Sequence, residues 1–508
     1  MNLLISKLSL IILLLFCYLI AHAQYKYDYR WQFGHHSFSG DNRFGGTYFD
    51  FRERPAVIHP QNIEMNFVSS ALSMCDKDGN LIFASNGCWI ANADQMLMTN
   101  GDSINTGIIR SSWCEGTFEA MPTGNDIIGL PIFGDSTLYY IVHGNIDIIR
   151  GETNFIVRLP LYLSTVQVNG DSSYVISKNV PIQTDTLSEI FVNACKHSDN
   201  KSWWIITHEF LTNKFYLQLI DSIGNIQAPI DQIIGDTLNH GGIGAGKFSP
   251  DGKKFAHFDG GYSPFSLYDF DRNTGRLSNY KKILVDSVMV GSLSFSSNSR
   301  YLYLIMLHKI IQYDTYADDI QASAEVIAYY DGYLEDSIFQ ANFYQSQLAP
   351  DCKIYISSTA SSKYLHVINY PDRKGTACDF IQRGVKLSRW NSGTMPYYPN
   401  YRLGTPYENQ CDTLTSTSFM PIVRRGEAIV YPNPVRDKIN IMYNPVGDES
   451  KKMEISIINM QGISVKKVAF DTHEYQWHVD VGEFPPGLYV LVISDRKGIR
   501  VMDKVVKQ

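Results

Sequence analysis

The stretches whose residue types could do chemistry are few, and each departs from the pattern its chemistry needs. Residues 241–248, GGIGAGKF, carry the glycines and lysine of a phosphate-binding loop. Phe248 stands where a Ser or Thr would hold magnesium, and a strand pattern rather than a helix follows. DFDRNTG (269–275) sets Asp269, Asp271 and Asn273 at alternating positions, as a calcium loop does. Tyr280 occupies the twelfth position, where a bidentate glutamate belongs, so a hairpin turn is expected. Calcium is the one cofactor the sequence hints at; no other cofactor or metal is expected. His208-Glu209 lacks the second histidine of a zinc protease, and there is no G-x-S-x-G nucleophile elbow. His35-His36 would need metal partners from elsewhere in the chain. Asp318-Asp319 would point to opposite faces of a strand, the wrong arrangement for acid–base work. Among the tryptophans, Trp203 and Trp204 are neighbours, so at most one faces a given side. Trp113, in IRSSWCEGTF (109–118), is the one expected to be exposed and to stack on a ligand. No catalytic residue emerges.

The elements that must position these residues are strands. Aromatics make up 13% of the chain, with 32 Tyr and 26 Phe, which favours sheet over helix. One unit recurs: an Asp- or Asn-marked turn followed by an aliphatic or aromatic run. It appears as CDKDGNLIFAS (75–85), FGDSTLYYIVH (133–143), KHSDNKSWWIITH (196–208), FSPDGKKFAHF (248–258), FSSNSRYLYLI (295–305) and LAPDCKIYISS (348–358). Asp78, Asp135, Asp199, Asp251, Asn298 and Asp351 mark the turns at intervals of 57, 64, 52, 47 and 53 residues. Such spacing suits four-stranded propeller blades joined by variable loops. Two end pieces remain: YDYRWQFG (27–34) with GGTYFDF (45–51), and VKLSRW (385–390) with YRLG (401–404). Together they are expected to complete a seventh blade, so that joining first and last strands removes an exposed sheet edge. Eight blades is the alternative count. The fold class expected is therefore all-β, a seven-bladed β-propeller over 24–410.

The ends of the chain speak to export. Lys7, the apolar run Leu10–Ile20 and Ala21-His22-Ala23 form a signal-peptide pattern over 1–23, too short for a membrane span. Eight cysteines occur, and Cys17 would leave with that segment. The remaining odd count leaves at least one unpaired, or paired between chains. The net charge of −7 gives no nucleic-acid footprint. Residues 411–426, CDTLTSTSFMPIVRRG, read as a linker. From 427 to 508, period-two runs broken by Pro, Gly and Asn predict a small immunoglobulin-like β-sandwich.

This last stretch resembles the C-terminal sorting domain of Bacteroidetes type IX secretion cargo. The features that carry the resemblance are Tyr431, Pro432, Asn433 and Pro434, the central Gly462, the Pro486, Gly487 and Tyr489 strand motif, and the lysine-rich end. The resemblance implies as partners the type IX translocon and its sortase. It also implies removal of the tail and covalent joining to surface lipopolysaccharide. The place would be secreted or at the outer-membrane cell surface, after signal-peptide cleavage, with no transmembrane segment. Residues 78–414 resemble a family of Bacteroidetes surface proteins with a WD-like propeller, through DGNLIFASNGCWI, GAGKFSPDGKKFAHF, YDFDRNTGRLSN and GTMPYYPNYRLGTPYENQCDTL. In such proteins the equivalents of Cys378 and Cys411 would be bridged; two unpaired thiols on surface loops are the alternative. The function expected is binding or adhesion to a glycan or protein ligand, with the channel mouth as the natural site. The alternative is a secreted enzyme acting on glycans, a lyase or hydrolase.

Overall fold

The structure is a computed structural model. It describes residues 25–404 except 54, 117–118, 123, 125–126, 151–153, 171, 189–191, 238–243, 259–263 and 286–289. In the tail it describes 428–507 except 432–434, 436–437, 444–451, 472–475 and 496–497. The signal-peptide pattern, the linker, Cys411, Pro432, Asn433 and Pro434 lie outside the described residues. The chain divides into two compact units, Met1–Thr413 and Leu414–Gln508.

The first unit is almost wholly β. Its first sheet has three strands, β1 (Arg30–Gly34), β2 (Gly46–Asp50) and β3 (Val57–Gln61). The second has β4 (Leu72–Cys75), β5 (Leu81–Ser85) and β6 (Ile90–Asn92), followed by the short helix α1 (Gly107–Cys114). The third holds β7 (Ile127–Pro131), β8 (Leu138–Ile149), β9 (Phe155–Gln167) and β10 (Tyr174–Gln183), with β11 (Leu187–Ser188) against β9. The fourth holds β12 (Asn193–Lys196), β13 (Trp203–His208), β14 (Lys214–Ile220) and β15 (Ile230–Ile233). The fifth holds β16 (Ala245–Phe248), β17 (Lys254–Phe258), β18 (Phe265–Asp271) and β19 (Arg276–Ile283). The sixth holds β20 (Gly291–Phe295), β21 (Tyr301–Met306), β22 (Lys309–Asp314) and β23 (Glu325–Tyr329). After a two-stranded hairpin, β24 (Leu334–Glu335) with β25 (Phe339–Gln340), the seventh holds β26 (Ser346–Leu348), β27 (Ile354–Ile356), β28 (Ser362–Ile368) and β29 (Phe380–Asn391). Neighbours pair antiparallel in chain order.

All six recurring units form the first hairpin of their sheets. In five, the marker's side-chain oxygen accepts the N–H two residues on: Asp135 from Thr137 at 2.9 Å, Asp199 from Lys201 at 2.8 Å, Asp251 from Lys253 at 3.1 Å, Asn298 from Arg300 at 3.0 Å and Asp351 from Lys353 at 3.2 Å. That bond closes the turn locally, which is why these residue types recur there. In the second sheet Asp76 does this instead, accepting from the N–H groups of Asp78 and Asn80 at 2.8 and 2.9 Å. Asp78 pairs with Lys77 at the surface.

Successive sheets pack through apolar faces. Trp204, Phe215 and Leu217 of the fourth meet Phe255, Tyr268 and Phe270 of the fifth. Phe258 and Leu267 of the fifth meet Leu293 and Leu304 of the sixth, and Tyr303 and Ile305 of the sixth meet Ile354 and Ile368 of the seventh. The Trp31 and Phe49 rings of the first sheet lie 5.8 and 5.5 Å from Tyr355 of the seventh.

Two expectations are corrected. VKLSRW belongs to β29, the outer strand of the seventh sheet; it lies against the first sheet without pairing into it, and Arg389 N–H donates to Thr47 Oγ1 at 3.2 Å. YRLG is not a strand; the residues before it include Pro396 and Pro399, which have no N–H to give a ladder. Cys378 is a free thiol rather than half of a bridge to Cys411. It ends the 3-10 turn Gly375–Cys378 and points into the core beside Tyr303, where burial pushes it up to about 11. Cys88 and Cys114 form a disulfide that ties α1 to the second sheet; Cys352 is also disulfide-bonded, and Cys75 and Cys195 are free and buried.

The tail unit has two sheets. One orders β30 (Ala428–Tyr431), β31 (Lys438–Tyr443) and β34 (Gln476–Asp480). The other orders β33 (Ser464–Asp471), β32 (Lys452–Asn459), β35 (Gly487–Asp495) and β36 (Gly498–Lys507). Ile439, Ile441, Ile455, Ile457, Trp477 and Leu491 fill the core between them, as the expected sandwich requires.

Candidate functional site

The expected binding place was the mouth of a central channel. Residues 394–402 run against the first strands of the sheets. Tyr398 donates its hydroxyl to the carbonyl of Ser73 (β4) at 2.8 Å, Tyr401 to Gly129 (β7) at 2.7 Å and Tyr397 to Gly246 (β16) at 3.1 Å. Lys196 (β12) donates its ammonium to the Tyr401 carbonyl, and the Tyr398 N–H reaches Gln347 Oε1 (β26) at 3.4 Å. The segment is thus bonded to the first strands of five sheets. It meets the first sheet through the Trp31 ring, 6.2 Å from that of Tyr398. Arg402 then closes bidentately on Asp28, at 2.6 and 2.9 Å, with both side chains fully buried. The space left beside Lys196, Lys247 and Tyr397 is about 20 Å³, room for little more than one water.

Two lysines are desolvated by this arrangement. Burial, with Arg272 and Arg402 nearby, pushes Lys196 from 10.5 down to about 7. Lys247, held by Gln347 Oε1 at 2.7 Å and lying 3.7 Å over the Tyr397 ring, is driven well below its ordinary value by burial alone. Lys247 is the lysine of GGIGAGKF, so it serves the packing of β16 and not a phosphate.

The other sequence candidates are dispersed. Trp113 sits on α1 and is half-buried, so it is not the open platform expected. Trp203 and Trp204 are both buried, donating to the carbonyls of Pro131 and Arg272. Asp271 accepts from Asn273 N–H and Thr274 Oγ1, while Asp269 is held by Lys254 and Asn279. Those carboxylates serve a hairpin turn rather than converging on one point. Among the described residues no group of three or more His, Cys, Asp or Glu is placed to hold a metal ion. His143 is bonded to Asn105 and Ser164, and His208 to Ser188. Burial lowers these imidazoles to about 3 and about 4, so both are neutral at pH 7. His35 is lowered to about 4 by burial.

A cleft of about 300 Å³ lies between the first and second sheets, walled by Arg30, Tyr48, His59 and Gln61 with Leu81 opposite. That volume is at the lower end of the range ligand pockets occupy. Sequence reasoning passed over it, although RWQFG, GTYFD and VIHPQ carry its signature: polar and apolar residues alternate where a strand buried on both faces would be apolar throughout.

In the tail, Gly462 takes φ +79° in the turn after β32, where its N–H and the side chain of Asn459 close the loop. Tyr489 is buried and donates its hydroxyl back to the Pro485 carbonyl at 2.8 Å, pinning the Pro486-Gly487 turn to the start of β35. Residues 429–508 match the family described as the secretion system C-terminal sorting domain. The chain therefore carries the tail of type IX secretion cargo, which directs it to the secretion machinery and to a secreted or cell-surface place. Among the described residues no helix is long and apolar enough to cross a membrane. No curated protein matches the chain. Solved structures that resemble it include a 6-phosphogluconolactonase candidate from Bacteroides fragilis, at 11% identity and TM-score 0.41 over 72% of this chain and 97% of that one. The periplasmic gluconolactonase of Pseudomonas aeruginosa gives 11% and 0.40 over 71% and 98%. Hsv2p of Kluyveromyces lactis gives 9% and 0.31 over 66% and 90%. Likenesses at this level carry no inference about chemistry.

Two outcomes follow from these buried contacts. Arg402→Met strands a buried carboxylate and should cost about 3–5 kcal/mol in urea unfolding, with part restored by adding Asp28→Leu. A loss under about 1 kcal/mol would contradict the pairing. For Lys196 the unfolded chain keeps its proton up to 10.5 while the folded chain releases it near 7. The unfolded state therefore binds more protons in that window, and stability rises with pH. The urea midpoint should climb between pH 7 and about 9, and Lys196→Met should flatten the climb.

Proposed function

We propose that the seven sheets are the blades of a closed β-propeller, of the WD-like surface-protein kind, delivered out of the cell by its sorting tail. It acts as a binding module through the side cleft rather than through a channel mouth. The observation that carries this reading is the occupied centre. Tyr397, Tyr398, Tyr401 and Arg402 are committed to joining the sheets, whereas the 300 Å³ cleft is a concave surface with polar lining open to a ligand. Closure is supported by the contacts of Tyr355 with Trp31 and Phe49, which bring the last sheet onto the first. Residues 1–23 would supply the first membrane crossing. Loss of the tail, followed by joining to lipopolysaccharide, would leave the propeller at the surface.

Deleting residues 429–508 should leave the protein inside the outer membrane, detected by fractionation and by protease protection of intact cells. A deleted chain that still reaches the surface would refute the export part. For the binding part, the purified full chain should retain at least one ligand on a glycan and peptide array, and Ala93→Trp at the exposed cleft margin should abolish that signal.

A further inference from the structure

The first sheet departs from the rule its neighbours follow. Where the fourth to seventh sheets face one another, the contacts are apolar. The first sheet sends Trp31, Phe33 and Phe49 to one face, in keeping with that rule. Its other face carries Gln32 beside Tyr48 beside His59, and Arg30 beside Asp50, as cross-strand partners. Polar side chains in these positions forfeit the packing that an interface between sheets normally provides, and here a cleft remains instead.

These groups are also under-used by the protein itself. Gln32 is fully buried; its amide donates to Gln95 at 2.6 Å and to Gln61 at 3.4 Å, but its Oε1 accepts nothing. The buried hydroxyl of Tyr48 has no partner. Buried polar atoms are paired as a rule; here one unpaired atom belongs to Tyr48, a residue of the cleft wall, and the other to Gln32, its cross-strand neighbour.

The charges decide the class of ligand. Asp50 accepts three close bonds from the Arg52 guanidinium, at 2.8, 3.0 and 3.2 Å, and one from its N–H at 2.9 Å. Arg30 reaches the same carboxylate only through Nε at 3.5 Å. Two guanidinium groups therefore share one carboxylate, and the uncompensated charge falls to the one that lines the cleft. The Tyr48 ring, 5.1 Å below, holds the Arg30 guanidinium in place. A guanidinium so held is matched to a carboxylate, which it can bind in a fork. Around it, His59 and Gln61 bring donors and acceptors to the lining, and Leu81 and Pro60 bring an apolar patch for a ring's C–H face.

We infer that the cleft between the first and second sheets binds a hydroxylated carboxylate, of which a hexuronate sugar is the simplest case. Arg30, held over the Tyr48 ring, takes the carboxylate; His59 and Gln61 take hydroxyl groups. The inference rests on the cleft being the binding site proposed above, and two variants separate the claims. Arg30→Met removes the charge yet leaves Asp50 bonded to Arg52, so the fold is kept. Ala93→Trp fills the margin and leaves the charge.

The experiment is isothermal titration of the purified full chain with D-glucuronate and, as the uncharged control, D-glucose, each to millimolar concentration. Glucuronate should bind at least about tenfold more tightly than glucose. Arg30→Met should weaken glucuronate by at least about tenfold with its thermal unfolding unchanged, and Ala93→Trp should abolish the heat. No heat from glucuronate, equal affinity for the two sugars, or wild-type affinity in Arg30→Met overturns the carboxylate assignment. Binding that survives Ala93→Trp unchanged overturns the cleft itself, and the proposed site with it.

Discussion

Everything in the large unit depends on how the inner edges of its sheets are satisfied. Each sheet begins with a strand that has a neighbour on one side only, so the other edge presents bare carbonyl and N–H groups to the middle of the molecule. Water cannot serve those groups in a filled centre, and an unpaired buried carbonyl is costly. Residues 394–402 meet this demand with tyrosine hydroxyls, which donate to the carbonyls of Ser73, Gly129 and Gly246, while the Gln345 and Gln347 amides accept the N–H groups of Met395 and Tyr398. Tyrosine suits the task because one end of the side chain packs and the other bonds. The Arg402–Asp28 pair locks residues far apart in sequence, so the last part of the unit to be made secures the first.

That solution bears on function by elimination of a place rather than of an activity. In the proposed reading, residues 394–402 are spent on cohesion and a ligand takes the gap left where the polar face of the first sheet fails to pack against the second. The same residues would be an ill-made interface if packing were their purpose. Arg30 over Tyr48, and Asp50 drawn toward Arg52, form an ordered arrangement with unmet bonding capacity. The sorting tail is a separate unit with its own core, and its role is delivery.

Much of the fold was legible because its signals are local. An Asp or Asn that caps its own turn does so through the adjacent backbone, so the six hairpins could be read one at a time. The slip from Asp78 to Asp76 arose because CDKDGN offers two aspartates, and turn geometry chooses the earlier one. Long-range facts were hidden. YRLG looks like a strand start until the prolines before it and the distant Asp28 are considered together. Cys378 gave no sign that a 3-10 turn would aim it at Tyr303, and Trp113 none that a helix tied down by Cys114 would half-bury it. The cleft was readable in principle: alternation in RWQFG, GTYFD and VIHPQ marks one polar face. Only the register shows those polar residues aligned across three strands.

The central claim is that residues 394–402 belong to the core of the large unit and are not a surface strap leading to the tail. Native-state hydrogen exchange followed by mass spectrometry tests it directly. Peptides covering 394–402 should exchange as slowly as β4, β7 and β16, through the same global opening. If that segment exchanges at the rate of an open loop while those strands stay protected, the centre is not held as described and the account fails.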